Sequence, residues 1–132
     1  MNYRKINIGL VGFGNIGSYF YKILEKNKYN ILKKTGKLPV IKFISAKNIK
    51  KNRKVKLPKS KWVKNPFKIT KNKEINIIVE LIGGADGYAK KVVFESLKNK
   101  KHVITANKAL MAKHGDDLAK LAEKNNVNLE YE

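Results

Sequence analysis

Residues 6–17 read Ile-Asn-Ile-Gly-Leu-Val-Gly-Phe-Gly-Asn-Ile-Gly, and this stretch decides the fold. A short apolar run from Ile6 to Val11 is typical of a buried strand, because it contains few polar side chains. A Gly-x-Gly-x-x-Gly pattern follows, and apolar residues at three- and four-residue spacing come directly after it. The order of strand, glycine-rich turn and helix matches the dinucleotide-binding fingerprint.

Each of the three glycines has a mechanical role in such a turn. Gly12 allows the chain to turn tightly out of the strand, and Gly17 allows the helix to pack closely on it. Gly14 removes a side chain at the point where a pyrophosphate approaches the backbone. The helix N-terminus offers unpaired N–H groups to the phosphates. We prefer this interpretation to that of a plain tight turn.

The chain of 132 residues has a formal net charge of +20. Residues 26–73 contain eighteen Lys or Arg and no Asp or Glu, which would attract polyanions. Only Arg4 and Arg53 are arginine, however, and lysine lacks the bidentate fork that recognises phosphates. We therefore interpret the charge as a solvated lysine-rich surface, and we do not expect nucleic-acid binding.

Several classes of protein do not fit the composition. The sequence has no cysteine, which excludes disulfides and thiolate chemistry. It has no apolar run of membrane-spanning length and no signal-peptide pattern, so we expect a cytoplasmic protein without a membrane partner. His102 and His114 are too few for a histidine-rich metal site, and we interpret both as ordinary surface residues.

Strand and helix patterns alternate along the whole chain. The predicted strands cover residues 5–11, 40–45, 75–82, 102–105 and 127–131, and Pro39 marks a loop before the second of them. The first predicted helix begins near residue 15, buries Ile16, Tyr19, Phe20, Ile23 and Leu24, and could break at Asn27 and Asn30 before a continuation that Gly36 ends. The later helices are predicted over residues 88–98, with Phe94 inward, over 109–113 as a single turn, and from Asp116 or Asp117, one of which would be the cap, to residue 124. Residues 47–73 predict an irregular connection, which Trp62 and Phe67 anchor against the domain. The alternation predicts an α/β fold: one domain over residues 1–132, with a Rossmann-type doubly wound parallel sheet.

Ligands of an open parallel sheet bind at the carboxyl ends of the strands. Residues 12–17 would bind the pyrophosphate there, and the backbone of Ile82, Gly83 and Gly84 could follow a ribose or nicotinamide. Residues 105–108 add a hydroxyl, an amide and a cation at the end of the fourth predicted strand. This position favours a ligand-facing role for Lys108 over that of a surface lysine.

The end of the second strand usually carries an acid that binds the ribose 2′-hydroxyl of NAD. Residues 45–48 read Ser-Ala-Lys-Asn, and no carboxylate is available there. Cations at this position would attract a 2′-phosphate, so the sequence predicts that NADP is preferred to NAD. Lys47 is the first candidate for that contact and Arg53 the second.

Four segments together resemble the amino-terminal, NAD(P)-binding part of homoserine dehydrogenase. They are Gly-Phe-Gly-Asn-Ile-Gly at 12–17, Val-Glu-Leu-Ile-Gly-Gly at 79–84, Lys-His-Val-Ile-Thr-Ala-Asn-Lys-Ala-Leu at 101–110 and the terminal Tyr-Glu at 131–132. The block at 101–110 is the most specific of the four. The resemblance implies an oxidoreductase that interconverts L-homoserine and L-aspartate 4-semialdehyde with NAD(P)(H), in threonine, methionine and isoleucine biosynthesis.

The same resemblance implies roles for individual residues. Phe13, Asn15 and Ile16 would contact the cofactor in the glycine-rich turn, and Gly83 and Gly84 would lie beside the nicotinamide ribose. Thr105 and Lys108 would lie at the reacting end, where the Lys108 cation could position substrate and stabilise a developing oxyanion. Glu132 matches a glutamate that helps to bind a structural monovalent cation, and the full-length protein would form a homo-oligomer.

The sequence departs from this family at Lys47, where the family often has arginine, which weakens bidentate phosphate binding. The main departure is that the sequence stops where a substrate domain would begin. The expectation is therefore a truncated cofactor domain that binds nucleotide but does not turn over homoserine by itself. Two alternatives stay open. One is another NAD(P)-dependent amino-acid or semialdehyde dehydrogenase, and the other is a non-enzymatic Rossmann module that binds nucleotides or nucleic acid.

Overall fold

Five parallel strands form one sheet in the order β2-β1-β3-β4-β5. The structure is a computed structural model that describes residues 3–48 and 55–131. The strands are β1 (Arg4–Val11), β2 (Lys37–Ser45), β3 (Ile77–Glu80), β4 (His102–Thr105) and β5 (Leu129–Tyr131). The helices are α1 (Asn15–Thr35), α2 (Pro66–Thr70), α3 (Tyr88–Lys98) and α4 (Lys108–Lys124), with a single 3-10 turn at Lys59–Lys61. The predicted α/β fold with a parallel sheet is confirmed.

Two apolar cores cover the two faces of the sheet. The core under α1 contains Ile8, Leu10, Ile41, Ile44 and Val79 from the strands. The core under the remaining helices contains Ile69 from α2, Val92 and Leu97 from α3, and Leu110 and Leu118 from α4. Because residues of β1 and β3 alternate between the two cores, both strands are buried on both faces, as a doubly wound sheet requires.

Helix α1 is one continuous helix, although two asparagines in it suggested a break. It ends as predicted at Gly36, whose φ of 74° is the left-handed conformation of a helix C-terminus. The prediction of its buried face was partly wrong. Phe20 and Leu24 pack inward, but Ile16, Tyr19 and Ile23 are exposed. The buried face follows Gly17, Phe20 and Leu24, because the close approach of Gly17 to the preceding turn sets the rotation of the helix.

Strand β2 begins at Lys37, three residues before the predicted start, and includes Pro39. Proline cannot donate a hydrogen bond within a ladder, which is why the sequence predicts a loop at this position. The strand order removes this conflict, since β2 lies at the edge of the sheet and pairs only with β1 among the described strands. An edge strand tolerates proline because one side of its backbone needs no partner strand.

The connection between β2 and β3 is mostly irregular over its described part, residues 55–76, as predicted. Trp62 forms an isolated bridge with Ile44, and its ring packs edge-to-face on that of Phe13 with 5.5 Å between centroids. Phe67 packs against the second core. These contacts confirm that the two aromatic residues anchor the connection.

Helix α3 and strand β4 have the predicted bounds, although Phe94 of α3 is exposed and Ser96 is buried in its place. Strands β3 and β5 are shorter than predicted. The largest difference concerns α4, which is one helix and not two. Asn107 caps it by accepting a hydrogen bond from the Leu110 amide at 3.0 Å, so neither of the predicted aspartate caps begins a helix.

Candidate cofactor-binding site

The carboxyl ends of the strands lie in register along one edge of the sheet, which we call the carboxyl edge. Val11 of β1 pairs with Ser45 of β2 on one side and with Glu80 of β3 on the other. Glu80 in turn pairs with Thr105 of β4, and Thr105 with Tyr131 of β5. The segments after these strands therefore begin side by side, which brings the three predicted site segments to one edge.

The glycine-rich turn after β1 is tightly built against its neighbours. Gly12 has a φ of 106°, and a Cβ atom on it would lie 2.8 Å from the backbone of Leu81. A Cβ atom on Gly17 would lie within 3 Å of the Gly12 carbonyl oxygen. Gly12 therefore excludes a side chain through its backbone conformation and through lack of space. Gly17 excludes one because α1 packs closely on the turn.

Gly14 differs from the other two glycines, because a Cβ atom on it would meet nothing within 4 Å. Gly14 is the N-cap of α1 and provides no side-chain cap, and the first turn of the helix contains no acidic residue. Asn15 and Ile16 of that turn are exposed. The turn and the N-terminus of α1 thus form one open surface at Gly14. Such a surface fits a diphosphate, because backbone N–H groups can approach the phosphates there.

Phe13 lies in the same turn, but its side chain points away from that surface. It is 3% exposed and packs edge-to-face on Trp62 and on Tyr21, the latter with 6.1 Å between ring centroids. A contact of Phe13 with a cofactor would therefore use its main chain. The ring fixes the turn to the core under α1, a role that the pattern Gly-x-Gly does not reveal.

A cleft of about 780 Å3 begins at this turn and extends across the ends of β1, β2 and β3. Its lining comprises Val11, Gly12, Phe13, Gly14, Ser45, Ala46, Lys47, Asn48, Lys64, Pro66, Leu81, Ile82 and Tyr88. The sequence indicated the glycines, Phe13, Lys47 and Ile82. It did not indicate Lys64, Pro66 or Tyr88, which reach the cleft only through the folding of the connection and the start of α3.

The β2 side of the cleft contains lysines and no carboxylate among its lining residues. Lys47 is exposed there, and Lys64 approaches because its carbonyl accepts a hydrogen bond from the Ser45 hydroxyl at 3.3 Å. Arg53, the second candidate for a phosphate contact, lies outside the described residues. The lining is therefore basic where a 2′-phosphate would lie.

The turn after β3 is organised by a carboxylate. Glu80 is fully buried, and its Oε2 accepts hydrogen bonds from the amides of Ile82 at 2.6 Å and Gly83 at 3.2 Å. Its Oε1 accepts a hydrogen bond from the Thr105 hydroxyl at 2.5 Å. In the sequence, Glu80 was only a polar interruption of an apolar run, because its partner Thr105 is 25 residues away.

The turn after β4 continues the same set of hydrogen bonds. The Thr105 hydroxyl accepts from the Asn107 amide at 3.0 Å, and the Asn107 side-chain amide donates to the Gly84 carbonyl at 2.5 Å. Thr105 is 1% exposed, so its hydroxyl is already engaged inside the protein. A direct contact of this hydroxyl with a ligand stays a prediction, as does that of Gly83 and Gly84, which are exposed beside it.

A further contact links the turn after β3 to the surface of α4. Asp86 pairs with the ammonium of Lys113 at 2.6 Å and with the ring of His114 at 2.9 Å. These two hydrogen bonds lower the pKa of the Asp86 carboxyl to about 2, and the hydrogen bond from Lys113 has the larger effect on that pKa. His114, interpreted as an ordinary surface residue, thus helps to hold the turn.

Lys108 is the first residue of α4, directly after the end of β4 and the Asn107 cap. Its side chain is exposed and forms no ion pair or hydrogen bond with the other residues that the structure describes. Its ammonium is therefore available to a ligand at the carboxyl edge. Glu132, the predicted ligand of a monovalent cation, lies outside the described residues. Residues 3–48 and 55–131 contain no metal-binding cluster of His, Asp or Glu, and none of their helices could span a membrane.

A parallel sheet, a bare glycine turn at the start of α1 and a cleft across the strand ends define a dinucleotide-binding domain. The profile described as "Homoserine dehydrogenase, NAD binding domain" matches residues 12–132. The chain belongs to the homoserine dehydrogenase family, in which it corresponds to the part that binds the nicotinamide cofactor.

Relatives and solved structures agree with this assignment. The homoserine dehydrogenase of Neisseria gonorrhoeae is 36% identical over 98% of this chain, and that of Bacillus subtilis is 32% identical over the same share. A crystal structure of S. aureus homoserine dehydrogenase superposes with a TM-score of 0.92 at 38% identity, over 99% of this chain. The chain spans 29% and 30% of the length of the two relatives and 33% of the S. aureus chain.

Proposed function

We propose that this chain is the cofactor-binding part of an enzyme that interconverts L-homoserine and L-aspartate 4-semialdehyde with NAD(P)(H). The observation that supports this most directly is the open surface at Gly14, beside an uncapped helix N-terminus and at the same edge as Lys108. Because the chain spans about a third of the S. aureus enzyme, turnover would belong to the whole protein. The chain by itself would bind nucleotide without oxidising homoserine.

The residues divide the work of binding along the cleft. The main chain of residues 12–17 would hold the diphosphate, and that of residues 82–84 would follow the nicotinamide ribose. A bound nicotinamide supplies the chemistry, since its ring carries a hydride to or from the substrate carbon. Lys108 is proposed as the catalytic residue: its ammonium would bind the substrate oxygen and stabilise negative charge that develops on it.

We further propose that NADP(H) is preferred to NAD(H). An acid at the end of β2 would bind the 2′-hydroxyl of NAD, but the cleft lining contains none and instead has Lys47 and Lys64. Two ammonium groups favour a phosphate carrying nearly two charges over a neutral hydroxyl. Arg53 stays a second candidate from the sequence.

The remaining proposals concern the whole protein. Glu132 would contribute to a site for a structural monovalent cation, and the full-length enzyme would be a cytoplasmic homo-oligomer with a small-molecule substrate. Nucleic acid is not a proposed partner, because the positive charge is carried almost entirely by lysine, which lacks the bidentate fork of arginine.

Calorimetric titration of the chain with NADPH and NADH tests the cofactor proposal. We expect NADPH to bind more tightly than NADH. The double variant Lys47→Ala/Lys64→Ala should lower the ratio of the two affinities about tenfold, because it deletes two phosphate contacts. Lys98→Ala, an exposed lysine in the last turn of α3, is the matched control and should change neither affinity. Tighter binding of NADH by the unaltered chain would reject the preference, and binding of neither nucleotide would reject the proposed function.

A further inference from the structure

The carboxylate of Glu80 is the most deeply buried ionisable group at the carboxyl edge. The residue is 0% exposed and has no ion-pair partner among the residues that the structure describes. Instead, two backbone amides and one hydroxyl donate hydrogen bonds to it. Burial of a carboxylate is costly unless such donors replace its water, so this side chain has a specific task.

The hydrogen bonds of Glu80 form part of a closed ring, which we call the edge network. Glu80 binds the amides of Ile82 and Gly83, and its other oxygen accepts from Thr105. Thr105 accepts from the Asn107 backbone, and the Asn107 side chain returns to the carbonyl of Gly84. The ring joins the turn after β3 to the turn after β4 through side chains that come from both strands.

The polarity of the edge network explains why a carboxylate stands at position 80. All three groups that face its oxygens act as donors, and an ionised carboxylate only accepts. A glutamine would direct an NH2 group at one of these donors. Because hydrogen bonds to a charged acceptor are about twice as strong as neutral ones, the ionised side chain also holds both turns more firmly.

We propose that Glu80 is a positioning residue that sets the turn after β3 relative to the start of α4. Lys108 follows Asn107 directly, so the edge network orients the proposed catalytic lysine and the glycine backbone at residues 83–84 as one unit. This inference rests on the proposed function, since it concerns the part of the carboxyl edge where the nicotinamide would lie. Glu80 itself touches no ligand, because its side chain is fully buried.

The test compares two ligands that occupy different lengths of the cleft. NADPH has both halves of the cofactor, whereas 2′,5′-ADP has only the phosphorylated adenosine half. We expect Glu80→Gln to weaken NADPH binding about fivefold or more and to leave 2′,5′-ADP binding within about twofold of the unaltered chain. A residue that merely supports the fold would weaken both ligands equally.

A second pair of variants addresses the same ring without altering Glu80. Thr105→Val, which keeps the shape of the side chain but removes the hydroxyl, should show the same selective loss of NADPH binding, and Thr105→Ser, which keeps the hydroxyl, should show a clearly smaller loss. This pair also decides the matter if Glu80→Gln unfolds, which a thermal melt would reveal. Glu74→Gln is the control, because Glu74 is exposed and its ion-pair partner is Lys42, which is not part of the edge network.

The outcomes separate the two proposals. If the unaltered chain binds neither ligand, the proposed function fails and this inference with it. If the unaltered chain binds both ligands, the function stands. In that case, equal losses for the two ligands, no loss in any variant, or NADPH bound no more tightly than 2′,5′-ADP would each overturn the role of Glu80.

Discussion

The glycine-rich turn after β1 and the turn after β3 lie at the same edge of the sheet but are held in different ways. The first is fixed by the absence of side chains, since Cβ atoms on Gly12 and Gly17 would collide with backbone. The second is fixed by side chains from a neighbouring strand, through Glu80, Thr105 and Asn107. Local sequence thus specifies the first turn, and tertiary contacts specify the second.

This difference implies that the two turns fail differently when altered. A change in the first should act on packing of the fold or on the ligand directly, according to which glycine is altered. A change in the second should cause a smaller loss of stability or binding, because each substitution removes only one or two hydrogen bonds. The following three predictions test that contrast in decreasing order of effect.

The largest effect is expected for Gly17→Ala. The new methyl group would lie within 3 Å of the Gly12 carbonyl oxygen, so α1 must move away from the turn. We expect a loss of about 2–3 kcal/mol in the free energy of unfolding, measured by urea denaturation. Gly14→Ala is the matched control: its methyl group would meet nothing within 4 Å, and its φ of −82° suits alanine.

Gly14→Ala should therefore lower the free energy of unfolding by no more than about 1 kcal/mol, because alanine is a poorer N-cap than glycine. It should nevertheless weaken NADPH binding by about tenfold or more, because the methyl group occupies the proposed diphosphate surface. Equal stability of the two glycine variants would contradict the contrast between packing and ligand surface.

An intermediate effect is expected for Asn107→Ala. This change removes both the cap of α4 and the hydrogen bond to the Gly84 carbonyl. We expect the free energy of unfolding to fall by about 2 kcal/mol, of which about half comes from the cap. Asn128→Ala should have almost no effect, because Asn128 is exposed and only its backbone is hydrogen-bonded to His102. A similar result for both variants would contradict the role of the side chain.

The smallest effect concerns the Asp86 contact with α4 and depends on pH. The folded-state pKa of Asp86 is lowered from 3.8 to about 2, so its contribution to stability is present above pH 3.8 and is lost as pH falls towards 2. Between these values, the unaltered chain should lose slightly more stability than Asp86→Asn. The difference should shrink in high salt, since the group is exposed. The measurement is an acid titration of both proteins, followed by circular dichroism. Loss of structure at the same pH in the two proteins would contradict the ion pair.

The sequence predicted best what depends on neighbouring residues. The glycine turn, the bounds of α3 and β4, and the anchoring role of Trp62 were all readable from local patterns. Helix α4 was predicted as two helices because Asp116 and Asp117 resemble the N-cap of a second helix, whereas Gly115 lies inside the one helix that forms. Burial of Leu110 and Leu118 on both sides of that glycine outweighs its cost of about 1 kcal/mol.

What the sequence did not predict depends on contacts between distant residues. Pro39 lies within β2 only because that strand is at an edge, and strand order cannot be read from one strand. Lys64 and Tyr88 join the cleft through long-range packing, and Glu80 meets Thr105 across 25 positions. The side-chain part of the site therefore required the fold, whereas its backbone part did not.

Strand β1 separates the two ends of the cleft, and none of the hydrogen bonds in the edge network reaches β2 or the lysines that follow it. The end proposed to discriminate between the two nucleotides could thus change during evolution while the end proposed to align the hydride stays fixed. On the same proposal, exchanging Lys47 for an acidic residue is the first step in redesigning this domain towards NAD.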